Sequence, residues 1–450
     1  MRAVKAHTFF AKTLLAIIVP ACYVLKFVKY KKWQYAKNNF SEDPLLYNTK
    51  DLIYFAYKYF GFPHQKSNID FDAETFFSEQ LIYTLNQDKK ENIDNKVTLH
   101  IGGDLMPYEW IKPSFCKHLW DDIGDDFFNG DLVFANLETP IVKDKKVSYV
   151  PEMMLSNMLF NGSDDMFSIF NGNGHYKGFD VLSTANNHSL DMDAEGVEKT
   201  IAFLESKKIK YTGTARSIEE QNAFPIIEKN GIKIAFLAYT YSLNQFKNPI
   251  DKPYLSNYIE LNKPDVSLEL IYNHVKIAKS KGADFIVASL HYGNAYQLFP
   301  SKHIIDNTHR VFTECGVDLI LGGHPHNIQP MEKYTYNCPF TKQSKTGYVV
   351  YSLADFVAYD IFLWCHLPVY IKFEVVKVNN ITQLNAIEVV PVYMAGNYKN
   401  TQNRDLRLLN AERVWEDLKQ HKNSFHLTRA QIKEATALEN YYKEGFKKCL

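Results

Sequence analysis

Apolar, strand-like runs in this chain repeatedly end in residues that bind metal ions or move protons. The residues that end or follow the five runs are Asp104, Glu138, Asn186-Asn187-His188, His291, and His324 with His326. In open α/β sheets the carboxyl ends of parallel strands form one rim, and ligands bind in the crevice outside it. Five strand ends can therefore share one site.

The donor types at these strand ends favour one or two divalent cations. Taken singly, Asp104 after two glycines fits a turn, Glu138 fits a helix cap, and His291 fits an ordinary hydrogen-bonded histidine. A structural role does not require every strand in a series to end in such a donor. His324 and His326 flank a proline, which places two imidazoles on one tight turn. Together these carboxylate, amide and imidazole groups suit a metal site.

Length and composition indicate a large globular protein without a nucleic-acid footprint. The chain has 450 residues, 46% of them apolar, which predicts one large domain with additions or two domains. Basic and acidic residues balance at a net charge of +0, so no polyanion-binding excess is present and no nucleic-acid partner is expected. The six cysteines are scattered without a CxxC motif, which excludes a zinc ribbon and leaves disulfides open.

The first residues predict a membrane segment. Residues 9–28 form an apolar stretch of about the ~20 residues that an α-helix needs to cross a bilayer. Lys12 and Lys26 lie near its ends, where their stems can reach the interface. We expect a signal anchor within residues 1–32 that attaches the chain to the cell membrane by a single pass. A lipoprotein signal ending at Cys22 and an interfacial helix are the alternatives, and the flanking charges do not fix the orientation.

The rest of the chain divides into three segments. Residues 33–94 are aromatic and helix-leaning, carry no recognisable chemistry, and are expected to pack on the main domain, with a polar linker at 88–96. Residues 95–395 alternate strand and helix patterns, which predicts an α/β layered architecture whose last strands pair in antiparallel or mixed fashion. Residues 396–450 are charged and amphipathic, and predict a C-terminal helical cap.

The ordered strand-end motifs resemble the capsule-synthesis CapA family, also called poly-γ-glutamate synthesis proteins. The motifs are GGDLM, DLVFANLETPI, VLSTANNHSLD, LHYG, LGGHPHNIQPME and VYSLADF, and they lie between residues 97 and 360. The domain of that family is similar to the calcineurin-like metallophosphoesterases. The resemblance implies an α/β fold, a four-layer α/β/β/α sandwich, with the N-terminal anchor and helical additions outside it.

The resemblance also implies roles for individual residues. The implied ligands of a first metal are Asp104, Glu138 and His326. The implied ligands of a second are Glu138, Asn187, His291 and His324, so that Glu138 bridges the two. His188 would be catalytic, donating a proton to the leaving group or stabilising charge, and Asp191 would orient it. Imidazole and carboxylate donors suit Mn, Fe or Zn, and two such cations can together activate a water.

Several positions depart from the family patterns. Phosphoesterases usually place a histidine where this chain has Met106, so we expect a weak first site with three ligands and a strong second site with four. His100 lies inside its strand and is interpreted as structural. His291 lacks the glutamate that often follows three or four residues later. Ala354-Asp355 replaces a Gly-Asn pair, and Asp355 is a carboxylate that would compensate near the rim.

Three functions fit these observations. The first is a capsule or poly-γ-glutamate biosynthesis protein with a metal-dependent hydrolase-type site, which cleaves a phosphoester or an amide-type bond outside the cytoplasm. The alternative is a non-catalytic, metal-containing component that binds an anionic polymer during assembly or export. The third candidate function is that of a nucleotide or phosphate hydrolase that faces the cytoplasm. The expected partners are an anionic capsule polymer or poly-γ-glutamate, the membrane, and other capsule-synthesis proteins.

Overall fold

The computed structural model describes residues 6, 8–61, 68–80, 82–86, 90, 93–153, 158–396 and 404–447. Part of the predicted linker at 88–96 lies outside these residues. Within them, the cysteines are free and buried.

The α-helices are α1 (Phe9–Trp33), α2 (Thr49–Phe60), α3 (Ala73–Ser78), α4 (Gly124–Phe127), α5 (Asp164–Phe170), α6 (Asp193–Ser206), α7 (Ile218–Gln221), α8 (Glu269–Ser280), α9 (Lys302–Arg310), α10 (Ala411–Lys419) and α11 (Arg429–Tyr441). Short 3₁₀ helices span Pro44–Leu46, Ile82–Asn86 and Leu363–His366, and π-helical turns span Val311–Cys315 and Tyr442–Phe446.

The strands are β1 (Asn95–Leu105), β2 (Leu132–Leu137), β3 (Val181–Ser183), β4 (Lys210–Thr212), β5 (Ile226–Lys229), β6 (Ile232–Thr240), β7 (Phe285–His291), β8 (Leu319–Gly323), β9 (Ile328–Asn337), β10 (Ser344–Leu353), β11 (Asp355–Val357), β12 (Val369–Val378), β13 (Ile381–Gly396) and β14 (Leu406–Asn410).

These strands form two sheets. The first has the order β14-β13-β12-β1-β2-β3-β4, and β11 also pairs with β1. Strands β1 to β4 are parallel, whereas β12, β13 and β14 add to the sheet in antiparallel fashion. The second sheet has the order β5-β6-β7-β8-β10-β9, with β6, β7, β8 and β10 parallel. The predicted mixed pairing of the last strands is therefore confirmed.

The sheets pack face to face between two helical layers. Val97, Leu99 and Ile101 alternate along β1 and lie in a core shared with β6 and β7 of the other sheet. Phe134 and Phe236 stack across this interface, with ring centroids 5.8 Å apart. A second core lies between the first sheet and α5 and α6, and a third between the other sheet and α8 and α9. The four-layer α/β/β/α sandwich expected from the sequence is thus confirmed.

The opposite face of β1 carries a histidine that belongs to the packing. His100 donates through Nδ1 to the carbonyl oxygen of Phe127 at 2.9 Å, on the side of the sheet that faces α4. A Cβ on Gly130 would lie 2.6 Å from the His100 ring, so the fit is close. This placement agrees with the structural role that the sequence suggests for His100.

The helix nearest the N-terminus is long and apolar. Residues Phe9–Lys29 of α1 have a mean hydropathy of 1.8, and by length and composition they suffice to cross a membrane. This helix is compatible with a membrane anchor or a signal sequence. Together with α2, α1 packs on the sandwich through a cluster that includes Cys22, Tyr57, Tyr296 and Trp364.

The segment after residue 396 differs from the sequence prediction of a purely helical cap. Residues 406–410 form β14, which pairs with the end of β13 before α10 and α11 begin. Leu406 and Leu408 are buried against the first sheet's helical side, and Leu409 faces the core between the sheets. The strand shows only a short alternation of apolar and polar residues, and the charged residues on either side of it hide this pattern in the sequence.

Candidate metal centre

The strand-end residues from both sheets meet at one edge of the sandwich. Strands β1, β2 and β3 of the first sheet and β7 and β8 of the second end there. The buried side chains brought to this edge are Asp104, Glu138, Asn187, His188, His291, His324 and His326. The sequence predicts a shared rim, and the structure assembles it from two facing sheets.

Asp104, Glu138 and His291 form a compact group. One ligand atom from each lies within 4.8 Å of the others. Nε2 of His291 is also 2.9 Å from Oδ1 of Asn187 and 3.6 Å from Oε1 of Glu138. Four donor groups therefore converge, and three of them come from different strands of two sheets.

A second compact group consists of Asp104, His326 and Asp355. Nδ1 of His326 lies 2.8 Å from Oδ1 of Asp355. The sequence suggests that Glu138 bridges two metals, whereas Asp104 is the carboxylate common to both compact groups. Asp355 begins β11, which pairs with β1 so that Asp355 lies opposite Asp104.

His324 lies beside these groups rather than within them. Its ring centroid is 5.1 Å from that of His291, and its backbone N–H donates to Oδ2 of Asp104 at 3.1 Å. Nε2 is 3.0 Å from the hydroxyl of Tyr241 and 3.5 Å from Oε1 of Glu42. Its φ of +93° is rare for a residue with a side chain, and such strain is typical of functional sites.

The cluster contains buried polar atoms that lack hydrogen-bond partners among the described residues. These atoms are both carboxylate oxygens of Glu138, Oδ2 of Asp355 and Nδ1 of His324. A buried acceptor without a partner costs about 1–3 kcal/mol, and more when it is charged. Buried carboxylate and imidazole acceptors without hydrogen-bond donors fit a site for divalent cations, which would supply the missing positive charge.

The pKa values of the buried groups in the cluster also favour a bound cation. Burial raises the pKa of Glu138 well above its ordinary range, and the nearby Asp104 carboxylate raises it further. Burial also raises the pKa of Asp104, and it raises that of Asp355 to about 7. Burial lowers the pKa of His291. Burial lowers the pKa of His326 too, but Asp355 and the other carboxylates prevail and raise it to about 10. Without a cation, burial therefore disfavours the ionised form of all three carboxyl groups.

His188 is held in a fixed orientation at the wall of the site. Its Nδ1 lies 2.6 Å from Oδ2 of Asp191, and its ring stacks on Phe160 with 3.7 Å between centroids. The backbone N–H of Phe160 donates to the same carboxylate oxygen at 2.6 Å. This geometry leaves Nε2 for other contacts, and it matches the orienting role that the sequence suggests for Asp191.

A cavity of about 630 Å³ opens next to these residues. From the strand ends it is lined by Met106, Asn187, His188, His324 and His326, among others. Its other side comes from the chain before β1, including Glu42 and residues of α1 and α2. Met106, which stands where phosphoesterases usually carry a histidine, is thus a buried part of the cavity wall.

Glu42 and Lys58 are site residues that the sequence does not reveal. Their buried carboxylate and ammonium groups pair at 2.5 Å, and Oε1 of Glu42 also accepts the backbone N–H of Ala295 at 2.8 Å. Burial would raise the pKa of Glu42, but Lys58 and His324 lower it to about 2. One signal was available, because Lys58 is a single cation inside the run LIYFAYKYFGF, and a buried lysine needs a partner.

Two further positions support the cluster. Asn136 donates through Nδ2 to Oδ1 of Asp104 at 2.8 Å and lies 3.4 Å from Nδ1 of His291. A Cβ on Gly323 would lie 2.9 Å from Oδ1 of Asp104, so a larger residue there would displace the carboxylate. Asn136 sits two residues before Glu138 in the same motif, a proximity that sequence analysis could have used.

Comparison with known proteins identifies the family. The bacterial capsule synthesis protein PGA_cap family matches residues 98–360, more than half of the chain. The chain belongs to this family. The match contains Asp104 and Glu138 and extends through Asp355, so it covers all the strand ends described above.

Individual relatives agree with the family. The chain is 26% identical over 272 residues to the capsule biosynthesis protein CapA of Bacillus anthracis, covering 60% of this chain and 61% of that protein. It is 25% identical over 266 residues to the PGA biosynthesis protein CapA of Bacillus subtilis, covering 58% and 59%. The chain thus spans about three fifths of the length of these curated relatives. Among solved structures, the calcineurin-like phosphoesterase YfkN from Bacillus subtilis matches with 13% identity and a TM-score of 0.36, covering 66% of this chain and 90% of that one.

Proposed function

We propose that this chain acts in capsule or poly-γ-glutamate biosynthesis at the cell envelope, as a metal-dependent hydrolase. The observation that carries the proposal is the Glu138 carboxylate, which is fully buried and whose two oxygens make no hydrogen bond among the described residues. Its nearest partners are Asp104 and His291, which are themselves metal-ligand types. A carboxylate in this setting is best explained as a cation ligand.

The ligands that we assign follow the family pattern. A first ion would be held by Asp104, Glu138 and His326, and a second by Glu138, Asn187, His291 and His324. Manganese, iron and zinc all suit these donors, and the second site has the larger ligand set. Asp355 stands beside the first site, where its paired oxygen orients His326 and its other oxygen is unpartnered.

The catalytic proton would come from His188. A bound divalent cation supplies charge neutralisation and lowers the pKa of water. Asp191 holds Nδ1 of His188, so the tautomer with the proton on Nδ1 keeps Nε2 oriented at the cavity, and protonation of Nε2 makes it a general acid. Phe160 covers one face of the ring and keeps water from it. The leaving group would therefore receive its proton from Nε2 of His188.

The substrate that we propose is an anionic capsule polymer or poly-γ-glutamate, cleaved at a phosphoester or an amide-type bond. Family membership and the carboxylate-rich, cation-binding rim support this choice, because a bound metal draws anionic groups. Other capsule-synthesis proteins are the proposed protein partners. The balanced net charge supports no nucleic-acid role.

We infer that α1 attaches the chain to the cell membrane with the domain outside the cytoplasm. The sequence predicts a single-pass anchor, with an interfacial helix as an alternative, and the largely exposed apolar surface of α1 is compatible with both. Thiol labelling of single cysteines placed at exposed Phe10 and Phe27 distinguishes the two: a crossing helix exposes them on opposite sides of the membrane. A C-terminal reporter fusion tests the side on which the domain lies.

The hydrolase is tested with the full chain in lipid nanodiscs. Bound metal is measured by elemental analysis, and turnover is assayed with a generic phosphodiester and with γ-linked glutamate oligomers. His188→Ala should abolish turnover and retain metal. His118→Ala is the matched control, since exposed His118 makes the same Nδ1 contact with Asp121, three residues on, at 2.7 Å.

Other results would support the alternative or reject the site. Metal-dependent polymer binding without turnover, unchanged by His188→Ala, would indicate the non-catalytic, polymer-binding component. Wild-type protein that binds no manganese, iron or zinc after reconstitution would reject the metal centre.

A further inference from the structure

The cavity at the metal centre has a polar half and an apolar half. The polar half consists of strand-end residues such as Asn187, His188, His324 and His326. The apolar half is formed by Ile18 of α1 and by Leu52, Phe55, Ala56 and Phe60 of α2, with Met158 and Phe160 opposite. Apolar side chains in a binding cavity contact the apolar part of a ligand, whereas the few polar groups fix its orientation.

The helices that form this wall also expose apolar side chains to the outside. On α1 these are Phe9, Phe10, Ile17, Tyr23, Val24, Phe27 and Val28, and on α2 they are Leu52 and Ile53. Phe27 is 90% exposed and Leu52 is 55% exposed. Soluble monomers rarely expose contiguous apolar patches of this kind, which mark membrane or protein interfaces.

The inner face of α1 is occupied by the protein. Ala11 and Cys22 are buried there, and the hydroxyl of Thr8 at the start of the helix bonds to Glu152 at 2.5 Å. The helix is therefore apolar on both sides, with one side packed on the sandwich and the other open. A lipid bilayer is the surroundings in which such an outer face is stable.

Leu52 connects the two apolar surfaces, because it both lines the cavity and lies on the exposed face. A hydrocarbon chain that enters the cavity past Leu52 would contact an apolar side chain there. The anionic end of the same molecule would then lie at the strand-end cluster.

We propose that the cavity binds an amphiphilic anion, a lipid-linked phosphate-type intermediate, with its chain along Ile18, Leu52 and Phe55 and its anionic group at the metal centre. The anionic end rests on the proposed function, whereas the chain subsite rests on α1 and α2. In this proposal α1 both attaches the chain to the membrane and forms part of the substrate site.

The test measures binding of methyl, butyl and hexyl phosphate to the full chain, loaded with Mn²⁺ in nanodiscs, by calorimetric titration. Burial of each methylene should tighten binding about fourfold, so the five extra methylenes of hexyl phosphate should tighten it by up to about a thousandfold, and burial of only two of them by about sixteenfold. Leu52→Glu should reduce this chain-length dependence. The added carboxylate repels all three phosphates alike, so the quantity compared is the ratio of their affinities. Ile53→Glu is the matched control, since Ile53 is the next residue on α2, is 45% exposed and does not line this cavity.

The outcomes separate this subsite from the proposed function. Equal affinity for all three phosphates would overturn the chain subsite and leave the metal centre intact. A chain-length dependence that Leu52→Glu leaves unchanged would also overturn it, because the chain would then bind elsewhere. Failure of every phosphate to bind the metal-loaded protein would reject both proposals.

Discussion

The Glu42 carboxylate lies 3.5 Å from Nε2 of His324, so the chain before α2 reaches into the strand-end cluster. The contact is secured by Lys58, whose ammonium group pairs with Glu42 in the protein interior. Carboxylates that bond the outer nitrogen of a histidine commonly orient it toward a metal. The contact thereby connects the segment between α1 and α2 with the candidate metal centre.

Glu42→Gln should destabilise the protein by about 3–5 kcal/mol, because it leaves Lys58 buried without a countercharge. Adding Lys58→Met should restore most of the loss, as measured by urea unfolding of the metal-free chain. The double variant should still bind Mn²⁺ about tenfold more weakly, since His324 has lost its orienting carboxylate. Lys58→Met alone is also measured, because it completes the double-mutant cycle. A double variant as unstable as Glu42→Gln would contradict the pairing.

Glu138→Gln should stabilise the metal-free protein while abolishing metal binding. Because the folded pKa of Glu138 is raised, the wild type loses stability as pH rises above about 4.5, the ordinary value for a glutamate. At pH 7 the gain from the variant should be up to about 3 kcal/mol, and it should vanish near pH 4.5. Urea unfolding at several pH values measures this difference, with exposed Glu444→Gln as the control.

A gain that does not change with pH would argue against a raised pKa at Glu138. Metal-induced stabilisation that persists in Glu138→Gln would remove this residue from the ligand set.

Asp191→Asn should lower turnover about tenfold or more without changing the metal content. The amide no longer selects the His188 tautomer with its proton on Nδ1, so Nε2 is a poorer proton donor. The kcat-against-pH profile of wild type and variant checks this, since its acidic and basic limbs should shift. Asp121→Asn, in the exposed His118 pair, should leave the profile unchanged. An unaltered profile in Asp191→Asn would show that Asp191 only supports the fold.

Gly323→Ala should weaken metal binding, because the added Cβ would lie 2.9 Å from Oδ1 of Asp104 and 3.2 Å from Nδ1 of His291. Overpacking of this kind also costs about 1–3 kcal/mol of stability. Mn²⁺ titration and urea unfolding measure the two effects. Gly445→Ala is the control, since a Cβ there meets nothing within 4 Å. Wild-type metal affinity in Gly323→Ala would mean that the strand end has room for movement.

His274 should contribute to acid sensitivity away from the metal centre. Burial lowers its pKa to about 4, and its Nδ1 is 2.9 Å from the Tyr239 hydroxyl. A depressed folded pKa means that stability is present above pH 6.5 and is lost as pH falls toward 4, by up to about 3 kcal/mol. In the metal-free chain, His274→Gln should flatten this decline, whereas exposed His175→Gln should not. Equal slopes for all three proteins would contradict the prediction.

Much of the candidate metal centre could be predicted because its residues follow their strands directly. Asp104, Glu138 and His291 each end an apolar run, and the run itself predicts a buried strand whose end reaches an edge. Asp355 was harder to place, because a strand of only three residues carries it. Ala354 before it adopts a φ of +64°, a conformation that suits glycine better than a residue with a side chain.

The C-terminal segment shows the limit of local pattern. Residues 406–410 contain only five residues of strand among charged neighbours, and their pairing with β13 depends on where that long strand ends. Local composition favours a helix there, but the segment forms a strand because the edge of β13 is free to pair with it.

The sequence by itself determined the strand ends, their donor residues and the apolar helix near the N-terminus, because period and composition are local properties. Only the tertiary structure decided that two sheets bring their edges together, and that Glu42, Lys58 and Leu52 belong to the same site. Those residues act through contacts with partners far along the chain, and whether a charge is buried and paired depends on which surfaces pack against each other.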